Sequence, residues 1–332
     1  MTRRSNSLFG FLNVDKPLGM TSHDVVARVR RASGIKKVGH AGTLDPLATG
    51  VLILCVGGAT RLSEYVMHGT KHYRAMIRLG ATTSTYDAEG EIVLVRDASR
   101  VTREDVERII PSFLGEIEQI PPMYSAIKQG GKKLYEMARE GKTVEREARK
   151  VRIDTITLSD RILRDSTGLS DRILDDSTGL SDRGFTEFVI DVTCSAGTYI
   201  RSLAYDIGEV LGVGAHLTGL IRTGSGVFTL ENAVTLDTLL TDPAKHLIAP
   251  FEALKDYPAL VLDAAAEAEI GQGRAIGGGS FTHEAVVMAY DADQRLIAVL
   301  EAEDGRLKPR KVFNQRDQDE PANQANQRTE SE

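Results

Sequence analysis

An unbroken apolar run, VLILCV at residues 51–56, constrains the fold more than any other feature of this chain. Six consecutive apolar residues, half of them β-branched, are typical of a strand in the middle of a sheet. Apolar residues also alternate in KHYRAMIRLG (71–80) and recur in TEFVIDVTC (186–194), which predicts two further strands. The sequence therefore predicts a sheet with residues 51–56 as a central strand.

Two other stretches predict helices. TSHDVVARVRRASG (21–34) has Thr21 or Ser22 as its N-cap and a glycine just past its end. EDVERIIPSFLGEIEQIPP (104–122) has a helical pattern that Pro111 interrupts near its middle. Both helices are expected to pack on the sheet through one apolar face.

The last third of the chain changes in character. A helix that follows the glycine turn after the strand at 186–194 would place Leu203, Ile207 and Val210 on one face. Beyond Tyr257, short apolar runs with Asp/Gly turn signals indicate a small β-rich domain made of short strands. Residues 314–332 are poor in apolar side chains and are predicted to be disordered.

An internal duplication interrupts the chain. LSDRILRDSTG (158–168) is followed by LSDRILDDSTG (169–179) and a fragment of a third copy. Two copies of an 11-residue unit cannot bury a shared core, so residues 158–184 are predicted to form a polar surface loop between two strands.

Composition narrows the possible functions. The chain has 332 residues and a formal charge of −6, but nine Lys/Arg against four Glu between 128 and 152 give a local +5 that suits RNA. Cys55 and Cys194 lie in apolar runs and are expected to be buried free thiols of a cytoplasmic protein. No zinc-ligand spacing, phosphate-binding glycine motif or membrane-length apolar stretch occurs in the sequence, so no metal, cofactor or membrane is implied.

The segment GHAGTLDPLATG (39–50) contains a single carboxylate, Asp45, between a leucine and a proline. An ionised carboxylate among apolar neighbours is costly unless it is paired. The side chain could simply cap a turn. However, CSAGTYIRS places Tyr199 and Arg201 just past a glycine turn, where Arg201 could pair with Asp45 and keep it ionised. Such a carboxylate could act as a nucleophile, a general base or an electrostatic partner of a cationic transition state.

At this point the motifs resemble those of bacterial TruB-type tRNA pseudouridine synthases. GHAGTLDPLATGVLILCVGGATR is similar to the catalytic motif of that family, and FLNVDKPLGMTSHDVV to its N-terminal motif. KHYRAMIRLG, TYDAEG, QIPPMYSAIKQGGKKLYEMAREG and VTCSAGTYIRSLAYDIGEVLGVGAHLTGLIRT resemble later segments of the family, in the same order. The resemblance covers most of residues 9–235.

The resemblance implies an α+β fold, with a mixed, largely antiparallel central sheet flanked by helices and a small C-terminal β-rich domain similar to a PUA domain. The catalytic domain would span 1–250 and the PUA-like domain 257–313. The implied activity is that of an isomerase, an intramolecular transferase that converts uridine 55 of the TΨC loop of tRNA to pseudouridine. The implied partner is the T-arm stem-loop of tRNA, with no cofactor, obligatory protein partner or guide RNA, and the protein is expected to be a monomer.

The resemblance also implies roles for individual residues. Asp45 would be the catalytic aspartate, Arg201 its ion-pair partner, and Tyr73 the ring that stacks on the extruded uracil. Substrate-binding residues would include Tyr73 together with His40, Tyr199 and Leu220. Possible contacts to RNA, or support for the catalytic loop, would come from Lys16, Lys128, Lys132, Lys133 and Arg222, with Arg222 touching phosphate and Lys16 bracing the loop. On sequence alone, a tyrosine or leucine at such positions could equally be a core residue, and His40 could satisfy a turn.

Two residues depart from the family pattern: Ile221 replaces a frequent arginine, and Ser84 occupies a place often held by aspartate. Both concern RNA affinity rather than chemistry. Two alternatives remain open at this point. The chain could bind or refold tRNA without turnover, or it could be a guide-dependent synthase subunit of the archaeal or eukaryotic kind.

Overall fold

A computed structural model of the chain describes residues 8–125, 127–140, 144–159 and 187–313. The predicted tail at 314–332 and all but the first two residues of the predicted loop at 158–184 lie outside these ranges. No helix in the described ranges has both the length and the apolar character needed to span a bilayer.

The described residues contain nineteen strands in chain order. They are β1 Gly10–Lys16, β2 Val38–Ala41, β3 Ala48–Val56, β4 Lys71–Leu79, β5 Ala81–Thr83, β6 Ile92–Val95, β7 Gly115–Gln119, β8 Lys128–Gln129, β9 Lys132–Lys133, β10 Arg149–Ser159, β11 Glu187–Cys194, β12 Ala215–Ser225, β13 Phe228–Thr229, β14 Val234–Thr235, β15 Ala259–Val261, β16 Ile276–Gly277, β17 Val286–Tyr290, β18 Leu296–Glu303 and β19 Arg306–Val312.

The same residues form eight α-helices and three 3₁₀ helices. The α-helices are α1 Ser22–Ser33, α2 Ser63–Met67, α3 Arg103–Ile109, α4 Leu134–Arg139, α5 Ile200–Val210, α6 Leu236–Thr241, α7 Pro250–Ala253 and α8 Ala264–Gly271. The 3₁₀ helices are Gly57–Leu62, Ile110–Phe113 and Pro243–His246.

A ten-stranded sheet forms the body of the protein. Eight strands follow the order β14-β1-β3-β12-β4-β11-β10-β7, with β2 added beside β3 and β13 beside β12. Only the β1–β14 and β3–β12 pairs are parallel. The predicted mixed, largely antiparallel sheet is therefore confirmed.

Strand β3 is buried along its whole length because both faces of the sheet are covered. Alternate residues Leu52 and Leu54 pack in a core with helices α1, α5 and α6. The residues that alternate with them, Val51 and Ile53, pack in a second core on the opposite face, which includes the C-terminal sheet. A strand with only one covered face alternates apolar and polar residues. Both faces of β3 are covered, which explains its continuous apolar run.

The C-terminal β-rich domain is a five-stranded sheet in the order β15-β17-β18-β19-β16. It packs on the main sheet through a shared core in which Tyr290 and Phe313 contact the group containing Phe11. An ion pair of 2.6 Å between Lys311 Nζ and Glu64 Oε1 adds a polar contact between the C-terminal sheet and helix α2.

Helix α1 begins and ends as its sequence predicts. Thr21 is the N-cap, and it forms a reciprocal capping box with Asp24. Gly34 ends the helix at φ 70° in the left-handed region. Of the two predicted N-caps, Thr21 is thus the correct one, and Ser22 is a buried helical residue.

Three local predictions are wrong. The predicted helix over 104–122 ends at Ile109; Pro111 lies in a 3₁₀ turn, and residues 115–119 form β7 because their backbone pairs with β10. Val210 is 56% exposed because it is the last residue of α5 and extends past the packed face, although Leu203 and Ile207 are buried as predicted. In the C-terminal domain, α8 replaces a predicted strand, since Asp263 caps an alanine-rich helical segment.

Candidate active site

The loop between β2 and β3 carries Asp45 and is held from below by the start of helix α1. The Ser22 hydroxyl donates to the Leu44 carbonyl at 3.0 Å and accepts from the Leu44 amide at 2.9 Å. The Gly19 amide donates to the Pro46 carbonyl at 2.9 Å. The backbone on both sides of Asp45 is therefore fixed, which is the condition for a preorganised side chain.

Arg222 holds the same loop from the sheet. Its guanidinium donates from Nε to the Val51 carbonyl at 2.7 Å and from Nη2 to the Gly42 carbonyl at 3.1 Å. Gly50 has φ +92°, and a Cβ there would lie 2.4 Å from the Arg222 carbonyl oxygen, so the close approach requires glycine. With only 2% exposure, Arg222 supports the loop, and the expected contact with phosphate is wrong because its guanidinium is buried.

Lys16 lies beside this loop with no exposed surface. Its Nζ donates to the Pro17 carbonyl at 2.9 Å and to the Met20 carbonyl at 2.6 Å, which ties down the segment leading into α1. Burial lowers the pKa of Lys16 to about 8, although the nearby Asp45 carboxylate opposes this shift. The predicted support of the Asp45 loop by Lys16 stays a prediction, because these bonds are made to the segment before α1.

Arg201, in the first turn of α5, brings the distant parts of the site together. Its Nε lies 3.1 Å from Asp45 Oδ2, and its Nη1 lies 3.2 Å from Asp87 Oδ2. The same guanidinium donates to the Tyr124 carbonyl at 2.7 Å and to the Thr85 carbonyl at 3.3 Å. At 6% exposure, it is a buried cation whose donors are shared between two carboxylates and two carbonyls.

Asp87 was not among the predicted site residues. It lies in the TYDAEG turn, only 2% exposed, and its Oδ1 accepts from the Thr85 hydroxyl at 2.5 Å and the Glu89 amide at 3.1 Å. The sequence signal for Asp87 was its carboxylate in a short polar turn after a strand. Turn chemistry alone explains such an aspartate, so its pairing with Arg201 could not be inferred.

The position of α5 is set by a buried amide. The side chain of Gln119 accepts from the Tyr199 amide at 2.7 Å and donates to the Tyr199 carbonyl at 3.0 Å. Tyr199 is the residue just before α5, so this clamp fixes the first turn, where Arg201 lies. Gln119 is therefore a positioning residue that the sequence did not reveal.

The electrostatics of Asp45 differ from expectation. Burial raises the pKa of the Asp45 carboxyl above its ordinary value, and the Arg201 guanidinium offsets that effect only in part. Arg201 lowers the pKa of Asp45, as predicted, but burial raises that pKa by more. The Asp45 side chain nevertheless keeps 40% of its surface exposed, so a ligand can reach it.

The predicted aromatic residues lie near this carboxylate. Tyr73 is on β4 opposite Arg222, whose positive charge acts on the Tyr73 phenol. Burial raises the pKa of both Tyr73 and Tyr199, and the Asp45 charge adds to each shift. The structure therefore brings Asp45, Tyr73, Tyr199 and Arg201 to one place.

The other two predicted substrate-binding residues lie on strands next to the loop that carries Asp45. Leu220 is 7% exposed on β12, opposite Ala48 at the end of the catalytic loop, and it belongs to the main core. His40 is on β2 with its ring edge-on to His23, at 5.1 Å between centroids. Burial lowers the pKa of His40 to about 4, so its imidazole is neutral at physiological pH.

The predicted RNA-binding lysines lie on a separate hairpin formed by β8 and β9. Lys132 is exposed, and its Nζ lies 3.2 Å from Glu140 Oε1. Lys128 and Lys133 pair through their backbones, whereas their side chains lie outside the described part of the chain. The predicted contact of this hairpin with RNA stays a prediction.

The sequence of this chain matches two family models and is similar to curated bacterial proteins. The sequence model of the TruB family pseudouridylate synthase N-terminal domain matches residues 30–200, and that of the tRNA pseudouridylate synthase B C-terminal domain matches residues 201–254. The tRNA pseudouridine synthase B of Symbiobacterium thermophilum is 49% identical over 80% of this chain and 82% of its own length. The Burkholderia pseudomallei protein of the same name is 44% identical over 94% of this chain and 98% of its own length.

Solved structures show the same fold. A crystal structure of a Cbf5-Nop10-Gar1 complex contains a chain with TM-score 0.67 and 27% identity, matched over 92% of this chain and 85% of that one. An H/ACA RNP bound to a substrate RNA containing 2'-deoxyuridine contains a chain with TM-score 0.67 and 24% identity, matched over 93% and 86%.

Proposed function

Because this chain belongs to the TruB family of pseudouridylate synthases, isomerases that act on tRNA, we propose that it converts uridine 55 in the TΨC loop of tRNA to pseudouridine. The reaction breaks the bond between N1 of uracil and C1′ of ribose and forms a bond from C5 to C1′. The proton on C5 is lost and N1 gains one, so atoms and charge balance without an oxidant or a reductant. One carboxylate at the reacting centre is the main requirement on the protein.

Exposure identifies which carboxylate fills that role. Asp45 and Asp87 contact the same guanidinium, but the Asp45 side chain is 40% exposed and that of Asp87 only 3%. A substrate can reach Asp45, whereas Asp87 is enclosed by its own turn and by Arg201. Asp45 is therefore the catalytic carboxylate in this proposal, and Asp87 is a positioning residue that orients Arg201.

The ion pair supplies what the chemistry needs. Burial disfavours the ionised form of Asp45, and Arg201 opposes that effect at 3.1 Å. In a partly enclosed site such as this one, a carboxylate interacts more strongly with charge that develops on a sugar or base than it would in bulk water. The contact with Arg201 is the single observation that carries the proposal, because it joins the catalytic loop to the start of α5.

The base must leave the RNA loop to reach Asp45. Extruding a nucleotide costs a few kcal/mol, and stacking on an aromatic ring returns about 1–3 kcal/mol per base. Tyr73 offers a ring beside Asp45, and Tyr199 and Leu220 would line the pocket around the flipped uracil. His40, neutral and edge-on to His23, would enter the space that the nucleotide leaves.

The partner in this proposal is the T-arm stem-loop of tRNA, bound by a single chain without guide RNA or protein partner. Support comes from the curated relatives, which are named tRNA pseudouridine synthase B at 44–49% identity, against 24–27% for the chains in H/ACA assemblies. The five-stranded C-terminal sheet would act as a PUA-like RNA-binding domain, and the hairpin with Lys132 would contact the RNA backbone.

The test is pseudouridine formation in an unmodified T-arm stem-loop and in a full tRNA transcript, read by mass spectrometry and chemical mapping. The pure wild-type chain should modify uridine 55 alone, and Asp45→Asn should make no product while still binding the transcript. Product from Asp45→Asn would remove the catalytic assignment. Binding without any product from wild type would instead support an RNA chaperone, and a requirement for added guide RNA would support a guide-dependent subunit.

A further inference from the structure

The exposed side of helix α1 carries concentrated positive charge that no role assigned so far uses. Between residues 22 and 37 the sequence has five Lys/Arg and one acid, a net +4 in a chain of net −6. Arg28, Arg31 and Lys36 are all exposed. The apolar side of the helix, with Val25 and Val29, is buried in the main core, so the cations face outward.

Two of these cations line a groove. An open cavity of about 310 Å³ is bounded by Met20, Asp24, Ala27, Arg28 and Arg31. Arg28 and Arg31 are three residues apart, so their side chains are neighbours on the helix surface. Neither forms a hydrogen bond or an ion pair with another residue in the described ranges.

The exposed arginines of helix α3 behave differently. On helix α3, Arg103 lies 2.7 Å from Glu107 and Arg108 lies 3.0 Å from Asp105. Two arginines whose donors are unused, next to a groove, can bind a phosphate without first breaking a contact.

The groove lies on the helix that supports the loop carrying Asp45. Helix α1 starts at Ser22, which holds the backbone of Leu44, and its second residue, His23, contacts the ring of His40. At 1.5 Å per residue, Arg31 lies about 12 Å along the helix from His23. An RNA strand that continues from the proposed active site is therefore close enough to contact this helix.

We propose that the groove formed by Arg28 and Arg31 binds the sugar-phosphate backbone of the tRNA next to the nucleotide that is isomerised. This inference rests on the proposed function and extends it with a second RNA contact surface, separate from the β8–β9 hairpin. Asp24, one helical turn before Arg28, also lines the groove, and its carboxylate accepts from the Thr21 amide at 2.9 Å and the Thr21 hydroxyl at 2.6 Å. The contact is made to phosphate, so it is independent of base sequence.

The test compares two variants that each remove two positive charges from an exposed helix. R28Q/R31Q alters the groove, and R103Q/R108Q on α3 is the matched control. Affinity for full-length tRNA is measured against salt concentration in the D45N background, and steady-state pseudouridine formation is measured in the otherwise wild-type chain. R28K/R31K, which keeps both charges, serves as the rescue variant.

Losing two phosphate contacts should reduce the slope of log K against log salt by about 1.4–1.8. The affinity deficit of R28Q/R31Q should thus be roughly tenfold larger at about 50 mM salt than at about 200 mM. The value of kcat/KM should fall while kcat at saturating tRNA stays unchanged, R28K/R31K should recover most of the loss, and the control should match wild type.

A salt slope equal to that of R103Q/R108Q would overturn the inference. So would an equal fall in kcat and kcat/KM, which would indicate damage to the catalytic loop instead of a lost contact. Both outcomes differ from failure of the proposed function, in which the wild-type chain itself would form no pseudouridine.

Discussion

Asp45 and Asp87 share one guanidinium, yet we expect their neutralisation to have opposite consequences for stability and activity. Asp45→Asn should abolish pseudouridine formation and change the free energy of unfolding by no more than about 1 kcal/mol. Asp87→Asn should destabilise the protein by about 3–5 kcal/mol and leave slow but measurable turnover.

The difference follows from exposure. The Asp45 side chain is 40% exposed, and the contribution of such ion pairs is small because solvent screens them. Burial also raises the pKa of Asp45, so its charge is itself unfavourable in the folded state, and neutralising it removes part of that cost. The Arg201–Asp87 pair, with side chains 7% and 3% exposed, is nearly dry, and removing one charge there leaves the other buried without its full set of partners.

An asparagine at position 87 would keep an oxygen that accepts from the Thr85 hydroxyl and the Glu89 amide. The loss of stability measured for Asp87→Asn should therefore reflect the lost ion pair with Arg201. The loss of turnover should be roughly 10- to 100-fold, because Arg201 would hold Asp45 less accurately. Arg201→Met should destabilise the protein at least as much as Asp87→Asn and should also abolish activity, since it strands both carboxylates.

The assay is urea unfolding of the three variants and wild type at pH 7, compared only where the m-values agree, together with single-turnover pseudouridine formation. Equal destabilisation by Asp45→Asn and Asp87→Asn would refute the reasoning, because exposure would then not decide the energetics. A stability for Asp87→Asn within about 1 kcal/mol of wild type would refute it as well.

Three further predictions concern residues around Asp45. Ser22→Ala leaves the buried Leu44 amide without its hydrogen-bond partner, so it should lower the free energy of unfolding in urea by about 1–3 kcal/mol. It should also lower kcat more than it raises KM. An unchanged kcat would count against the role of Ser22 in holding the Asp45 loop. Because the folded-state pKa of His40 is about 4 and the unfolded value is near 6.5, the unfolded chain binds more protons between these values. Wild type should therefore lose stability relative to His40→Gln as pH falls from about 6.5 to 4, by at most ~1.4 kcal/mol per pH unit, and parallel pH profiles would contradict this. Tyr73→Phe should keep near-normal kcat/KM whereas Tyr73→Leu should lose about 1–3 kcal/mol of transition-state stabilisation, and equal losses would argue against stacking.

Local sequence signals were reliable where a segment is organised by its own neighbours. The capping residues of α1, the buried strand β3 and the alternating strand β4 all follow from patterns within a dozen residues. The largest error arose where distant pairing overrode the local pattern. The second half of 104–122 was predicted to be helical, but residues 115–119 form β7 because β10 offers them hydrogen-bonding partners.

The residues of the candidate site also divide into those that local sequence signals indicated and those that depend on distant contacts. Asp45 stood out because a carboxylate among apolar residues requires an explanation, and Arg201 because it follows a turn at a strand end. Arg222 was misjudged because a cation in a strand gives no sign, from sequence alone, of whether it faces solvent or the underside of a loop. Its burial became visible only when Val51 and Gly42 were seen to accept its hydrogen bonds.

The amino-acid sequence by itself determined the family, the central strand and Asp45 as the candidate carboxylate, because each is signalled by short motifs of residues that are close together in the chain. Only the tertiary structure decided that Asp87, 114 residues from Arg201, is the second partner of that guanidinium, and that Gln119 orients the helix bearing it. Contacts over such separations are set by which strands pair and which helix packs above them, and hydrophobic periodicity carries information about burial but none about which buried polar groups meet.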